Sequence, residues 1–377
     1  MRSIVLIVFA LFASLQLCAQ STAAEYYKLG EAKYLEGDYK GAIIEFSKAT
    51  NLAHGHPASF SMMGKCKVKI GDLAGAKADY TFLIGLNKKD YYAWAARGST
   101  KVLMGDHIGA YKDLKRAIKI NSNLPLAHLE MGKACFRFGK YEDAFEYLDR
   151  AIALDSLNKE SYCYRGRNKA KQKEYIGGIV DLDKALALDS KYEDAYLARG
   201  KAKSKMGDHK GAAEDFTKLI EVNPKNKEGY FERAITRKKL KELNAAIVDF
   251  EKVIELDSSD YDAVNNLGFL KIDAGDFSGA IAVFDGLVQK DPENAFAYNN
   301  RGFAKYKNND IAGAMADIDK SISIEQNNSY AYRNRALVNL ADKSPMSACR
   351  DMKKAIKLGF TEFYGDEVEK LMLKHCQ

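Results

Sequence analysis

From Ala23 to Glu362 the chain reads as ten rows of equal length, beginning at Ala23, Pro57, Tyr91, Pro125, Lys159, Glu193, Lys227, Tyr261, Ala295 and Ser329, with no insertion or deletion. A register kept for this long excludes most folds. A fixed period of this size belongs to arrays in which each copy packs chiefly on its neighbours. The kinship of the rows is visible by eye in RGSTKVLMGDHIGAYKDL at 97–114 and RGKAKSKMGDHKGAAEDF at 199–216. Row position 8 is Gly except at Ala234 and Ala336, and position 20 is Ala except at Gly178.

Within a row, apolar residues recur at helical spacing on both sides of a Gly-Asp pair such as Gly37-Asp38, Gly71-Asp72, Gly105-Asp106, Gly207-Asp208 or Gly275-Asp276. That pattern predicts helix A, a tight turn and helix B: Gly accepts the left-handed conformation that ends one helix, and Asp caps the next. Rows close on Asp155-Ser156, Asp189-Ser190, Asn223-Pro224, Asp257-Ser258 or Asp291-Pro292, which cap a helix or block its continuation. One hairpin has too little core to stand alone, so its remaining apolar face must be buried on the next hairpin.

The rows resemble the tetratricopeptide repeat, and PLAHLEMGKACFRFGKYEDAFEYLDRAIALDSLN at 125–158 carries most of that pattern. The resemblance implies an all-α fold: a right-handed superhelical solenoid of ten hairpins over 23–362 (23–56, 57–90, 91–124, 125–158, 159–192, 193–226, 227–260, 261–294, 295–328, 329–362), closed by one capping helix at 363–377. Positions 7 and 11 depart from the family by being largely Arg and Lys. Position 7 is Arg97, Arg165, Arg199, Arg233, Arg301 and Arg335, and position 23 of the same rows is Asp113, Asp181, Asp215, Asp249, Asp317 and Asp351. Rows with Met131 and Leu267 at position 7 have Tyr147 and Val283 at position 23. In these eight rows the two positions change together, which predicts a structural ion pair between helices A and B of one row.

Residues 1–19, MRSIVLIVFALFASLQLCA, have the layout of a secretory signal peptide cleaved near Ala19, and imply an exported, periplasmic, envelope-associated or secreted protein. No later apolar run is long enough to span a membrane. Of the cysteines beyond residue 19, namely Cys66, Cys135, Cys163, Cys349 and Cys376, an odd number, at least one is unpaired. Cys349 and Cys376 are placed to form a disulfide in an exported chain, against the alternative that all five are small buried apolar residues. The net charge of +7 is mild for 377 residues and forms no single dense cluster, which argues against nucleic acid.

The chain contains no HExxH, CxxC, GxxxxGK[ST], GxSxG or GxGxxG, and nothing in it calls for a cofactor or a metal. His54 and His56 lack a third ligand nearby, and His107 and His209 share position 17 with Tyr and Phe of other rows. Function is therefore sought on the inner face of the A helices, where two zones stand out. Positions 9 and 13 give a basic stripe of Lys65, Lys69, Lys133, Arg137, Arg167, Lys171, Lys201, Lys205 and Lys239, suited to an acidic partner. Positions 5 and 6 of the last three rows give Asn265, Asn266, Asn299, Asn300, Arg333 and Asn334, with Phe269 and Phe303 beyond them. The amides of Asn266, Asn300 and Asn334 stand at the position of the asparagine ladder in the repeats of O-GlcNAc transferase, a likeness that implies holding of a peptide backbone. The alternative is that these amides bridge neighbouring helices. The expectation is a non-enzymatic scaffold for a protein or peptide partner. The rivals are an anionic envelope polymer on the basic stripe, an enzyme with an unfamiliar site, and an architectural spacer.

Overall fold

The structure, a computed structural model, describes residues 22–52 and 56–376, and among them every regular element is a helix. The leader at 1–19 and His54 lie outside the described residues. The described residues form two compact units, one ending at Ala195 and the other beginning at Tyr196. The first contains α1 (22–36), α2 (Tyr39–Leu52), α3 (Pro57–Lys69), α4 (Leu73–Leu86), α5 (Tyr91–Leu103), α6 (His107–Ile120), α7 (Pro125–Arg137), α8 (Tyr141–Leu154), α9 (Lys159–Lys171) and α10 (Tyr175–Leu188). The division falls within α11 (Glu193–Met206). The second unit continues with α12 (His209–Val222), α13 (Lys227–Lys239), α14 (Leu243–Leu256), α15 (Tyr261–Asp273), α16 (Phe277–Lys290), α17 (Ala295–Lys307), α18 (Ile311–Ile324), α19 (Ser329–Ala341), α20 (Pro345–Lys357), α21 (Phe360–Tyr364) and α22 (Glu367–His375).

Odd-numbered helices up to α19 are the A helices and even-numbered ones up to α20 the B helices. Position 15 turns the chain between them in the left-handed region in every row. It is Gly in six rows, but Lys173, Lys241, Asn309 and Lys343 accept the same positive φ, between 57° and 67°. Position 16 then caps helix B: Asp38, Asp72, Asp106, Asp208, Asp276 and Asp310 each accept from the backbone N–H of a Gly three residues on, at 2.9 Å. The helix A caps come from position 34, with Asp90, Asn158, Asn226, Asp260 and Asn294 accepting from the third residue beyond. The acids at position 31, expected among the caps, instead make local turns such as Asp155 accepting from Leu157 N–H at 3.1 Å.

In each unit, helix A packs on its own helix B, and helix B packs on the next helix A. Neighbouring A helices also touch directly, α5 on α7 and α7 on α9 in one unit, α15 on α17 and α17 on α19 in the other. The A layer is thereby the tighter side of each unit. Position 8 is small because position 24 lies over it. A Cβ on Gly200 would stand 2.6 Å from the ring of Phe216. The cores are accordingly thin and repetitive, as in Leu114, Leu129, Met131 and Leu148, or Phe250, Val253, Leu267 and Leu270.

The ion pair expected from positions 7 and 23 is present and is bidentate. Arg233 donates through Nε and Nη2 to Asp249 at 3.0 and 2.7 Å, and Arg97, Arg165, Arg199, Arg301 and Arg335 treat their own aspartates alike. The structure adds two partners. Position 11 supplies a second donor to the same carboxylate: Lys101, Lys169, Lys203, Arg237 and Lys305 lie 2.7–2.9 Å from Asp113, Asp181, Asp215, Asp249 and Asp317. The Nη1 of the position 7 arginine reaches back to position 25 of the preceding row, from Arg97 to Thr81, Arg165 to Asp149, Arg233 to Thr217, Arg301 to Asp285 and Arg335 to Asp319. One guanidinium thus joins three helices. Hydrogen bonds donated to Asp317 and Asp285 hold Arg301 above its usual pKa although burial opposes this.

The second row shows what the arginine does. Met63 replaces it, and buried Asp79 is left with Lys67 alone at 2.7 Å. Burial pushes the Asp79 carboxyl above its ordinary pKa despite Lys67. Its contribution is therefore favourable below the ordinary carboxylate range and is lost as pH rises through the raised value.

The last hairpin differs from expectation. Instead of one capping helix from 363, Gly359 turns the chain after α20 and two short helices follow, separated by Gly365, both glycines having positive φ. Phe360 and Val368 bury themselves against the end of the array. Cys349 of α20 is bonded to Cys376, with 5.7 Å between their Cα atoms, while Cys66, Cys135 and Cys163 are buried and free.

Removing the carboxylate in Asp249→Ala leaves half-buried Arg233 and Arg237 without their counter-ion, and should cost about 3 kcal/mol in urea unfolding. Met63→Arg should act oppositely, raising the urea midpoint at pH 7 by about 1–2 kcal/mol equivalent and losing that gain in acid, where Asp79 is protonated.

Candidate functional site

The asparagines of the last three rows do come together, but on one another. Asn300 Nδ2 donates to Asn265 Oδ1 at 3.2 Å, Asn299 Nδ2 to Asn300 Oδ1 at 3.2 Å, and Asn334 Nδ2 to Asn299 Oδ1 at 2.9 Å. Arg333 continues the chain, donating to Asn334 Oδ1 at 2.8 Å and to Glu367 of α22 at 2.5 Å. A single line of side chains therefore crosses α15, α17, α19 and α22. Asn299 and Asn334 are 1% exposed and Asn300 7%. An amide so buried and so committed has no face left for a peptide.

Of the two roles expected for Asn265, Asn299, Asn300, Arg333 and Asn334, the structure displays the helix-bridging one, and Asn299, Asn300 and Asn334 are buried in it. The A helices approach so closely that position 5 of one row meets position 6 of the next, and the amides satisfy each other there instead of meeting a ligand. Asn266 donates to the Asp262 carbonyl of its own helix at 2.8 Å. Phe269 and Phe303 are half-buried, the first packed edge-on to Phe284 and the second beneath the Arg333 guanidinium at 5.5 Å. The signal was available in the doublets Asn265-Asn266, Asn299-Asn300 and Arg333-Asn334, since an external ladder needs one amide per row and a bridge needs two.

The basic stripe divides by chemistry. Lys133 is 9% exposed and lies 2.8 Å from Glu130 and 2.6 Å from Glu160. Burial works against its charge, but these two acids more than offset that and raise its pKa. Lys201 is held in the same way, 2.5 Å from Glu228 and 3.2 Å from Glu232, although burial again opposes the charge. Both are corrected from ligand contacts to ties between successive A helices, because position 9 of one row reaches position 2 of the next. Lys65, Lys69, Arg137 and Lys171 in the first unit, and Lys205 and Lys239 in the second, are exposed. Among the described residues no carboxylate stands within salt-bridge distance of them. Arg167 is half-buried against Phe136 and Tyr164, its guanidinium carbon 5.4 and 5.0 Å from their ring centres.

One pocket of about 330 Å³ lies between α6 and α7, bordered by His107, Ile108, Tyr111, Cys135 and Phe138. It forms where position 11 is the short Cys135 instead of a charged residue. Burial pushes the Cys135 thiol up to about 11 and the Cys163 thiol up to about 12, so neither is a thiolate at neutral pH. His56 caps α3, its Nδ1 3.3 Å from the Ser59 N–H. Among the described residues no group of three His, Cys, Asp or Glu converges as metal ligands would, and no helix is long and apolar enough to cross a membrane.

Two family models described as tetratricopeptide repeat match the chain, one at 193–226 and 228–260, the other at 104–159 and 265–331. No curated protein matches. Among solved structures, a tetratricopeptide repeat protein from Parabacteroides merdae is 21% identical over 67% of this chain and 99% of its own, with a TM-score of 0.49. YrrB, described as having an unusual peptide-binding site, is 23% identical over 49% and 95%, with 0.43. The yeast Tom70 is 15% identical over 94% and 95%, with 0.42.

Replacing Asn299 by Ala strips partners from two buried amides and should cost about 2 kcal/mol or more in chemical unfolding. Asn266→Ala removes one bond within a helix and should stay within about 0.5 kcal/mol of the parent.

Proposed function

Because the chain belongs to the tetratricopeptide repeat family, whose members are protein-interaction scaffolds, we propose that it is a non-enzymatic scaffold that receives an extended acidic segment of a partner protein on the A layer of its first unit. The observation carrying this reading is the set of cations left over after internal pairing. The structure commits Arg97, Arg165, Lys101, Lys133 and Lys169 to acids of the fold. Lys65, Lys69, Arg137 and Lys171 stay exposed at positions 9 and 13 of the same layer. Charges at those spacings line one side of a helix. They accelerate encounter with an oppositely charged segment, and apolar neighbours Tyr92, Leu103 and Leu126, each at least 40% exposed, add contact area. Buried protonated thiols and a repeat without insertions supply no reactive constellation, which favours binding over catalysis.

A fluorescent peptide alternating Glu and Ala should bind the full chain with an affinity that falls steeply between 50 and 300 mM salt, about tenfold or more. The quadruple variant Lys65→Gln, Lys69→Gln, Arg137→Gln, Lys171→Gln should abolish that binding without lowering the melting temperature. Peptide binding that survives all four changes would refute the assigned face, and tighter binding of an acidic polysaccharide than of the peptide would favour an envelope polymer instead.

We also infer export. The apolar leader at 1–19 supports it, as does the Cys349–Cys376 disulfide, which is of the kind retained in oxidising compartments. N-terminal sequencing of the protein from its native host should begin at Gln20, and a chain recovered from the cytoplasm with residue 1 intact would overturn this.

A further inference from the structure

We propose that Arg167 is the anchor of the inner face, a seat for one side-chain carboxylate of the bound segment. The proposal rests on the reading above and adds a residue and a geometry to it. Among the described residues, Arg97, Arg165, Arg199, Arg233, Arg237, Arg301, Arg333 and Arg335 are half-buried, and each is ion-paired with a carboxylate of the chain. Arg167 is equally half-buried and has no such partner. A guanidinium presents five N–H donors, and those that no acidic group of the chain engages are available to solvent or to a ligand.

The side chain is nonetheless held in place. Phe136 of α7 and Tyr164 of α9 meet at 88°, 6.0 Å between centres, and the Arg167 guanidinium rests against both rings. Contact with two rings set at right angles restrains the guanidinium, and a restrained fork is suited to two parallel bonds to a planar carboxylate. An orientation fixed in advance lowers the entropic cost of capture. The next position on this face is Lys133 with Glu130 and Glu160, a trio with one net negative charge. That surplus opposes a doubly charged phosphate more than a carboxylate. Exposed Arg137 and Lys171, at position 13 of the same two rows, extend the positive track on which the remaining acids of a segment would lie.

The first measurement is the Arg167 Nε–H resonance of the full chain, titrated with sodium acetate, sodium phosphate and sodium chloride at matched ionic strength. Acetate should shift it in a saturable way, more than phosphate does and more than it shifts exposed Arg116. A response no larger than that of Arg116, or a stronger response to phosphate, overturns the carboxylate seat whatever the peptide does. The second is the Glu-Ala peptide on Arg167→Gln and Arg167→Lys. Both should lose about tenfold or more in affinity with an unchanged melting temperature, since Lys supplies neither the fork nor the stack. Parent-like binding by both variants defeats the anchor while leaving the acidic-segment reading standing. Failure of the parent to bind the peptide, together with a normal acetate response, defeats that reading and leaves the seat.

Discussion

The contact on which the array depends is the bidentate pair between position 7 and position 23, because its guanidinium touches three helices at once. Its carboxylate lies on helix B and its guanidinium on helix A. The remaining nitrogen reaches helix B of the row before, as from Arg301 to Asp285. Apolar burial between such slender helices would tolerate sliding by a turn. A planar fork matched to a carboxylate does not, and so it sets the rotation of each hairpin as well as its proximity. In two rows without the pair a different solution appears: Met131 with Tyr147, and Leu267 with Val283, fill the same space with apolar bulk.

The surface that remains follows from this internal use of charge. Most of the cations on the A helices are committed to the fold, and the amides of the second unit are committed likewise in a line from Asn265 to Glu367. What sets apart the cations of the proposed binding face is the lack of an internal acceptor, not their type. Lys133 and Arg167 share row position 9, yet two acids close around the first and two aromatic rings around the second. The difference lies with the neighbour at position 6 of the same row, Glu130 beside Lys133 and Tyr164 beside Arg167.

That dependence on neighbours explains what is legible in the amino-acid sequence. The hairpins, their boundaries at each row start, the small residues at positions 8 and 20 and the pairing of Arg233 with Asp249 can all be read there. They follow from periodicity or from two positions that change together. The reach of Arg97 to Thr81 and the tie from Lys201 to Glu228 escape such a reading, since each joins different positions of different rows, whereas the amide line is legible as the alternative to peptide holding. A comparison made column by column cannot see a contact that runs diagonally. The tail departs from the expected single helix because Gly365, which breaks it, lies in a segment outside the period.

The positions that make each join are the same from row to row, and this has a consequence for how such a chain changes length. In Thr217, Arg233 and Asp249, as in Asp285, Arg301 and Asp317, the lower hairpin offers position 25 and the upper one brings positions 7 and 23. An unequal genetic exchange that adds or deletes one whole row between two such hairpins would recreate the same join at the scar. Rows entered through Met63, Met131 or Leu267 lack the arginine and are poor sites for such an event. Drift in length is therefore expected to be confined to the arginine-bearing stretches, with the apolar joins as the landmarks that outlast it.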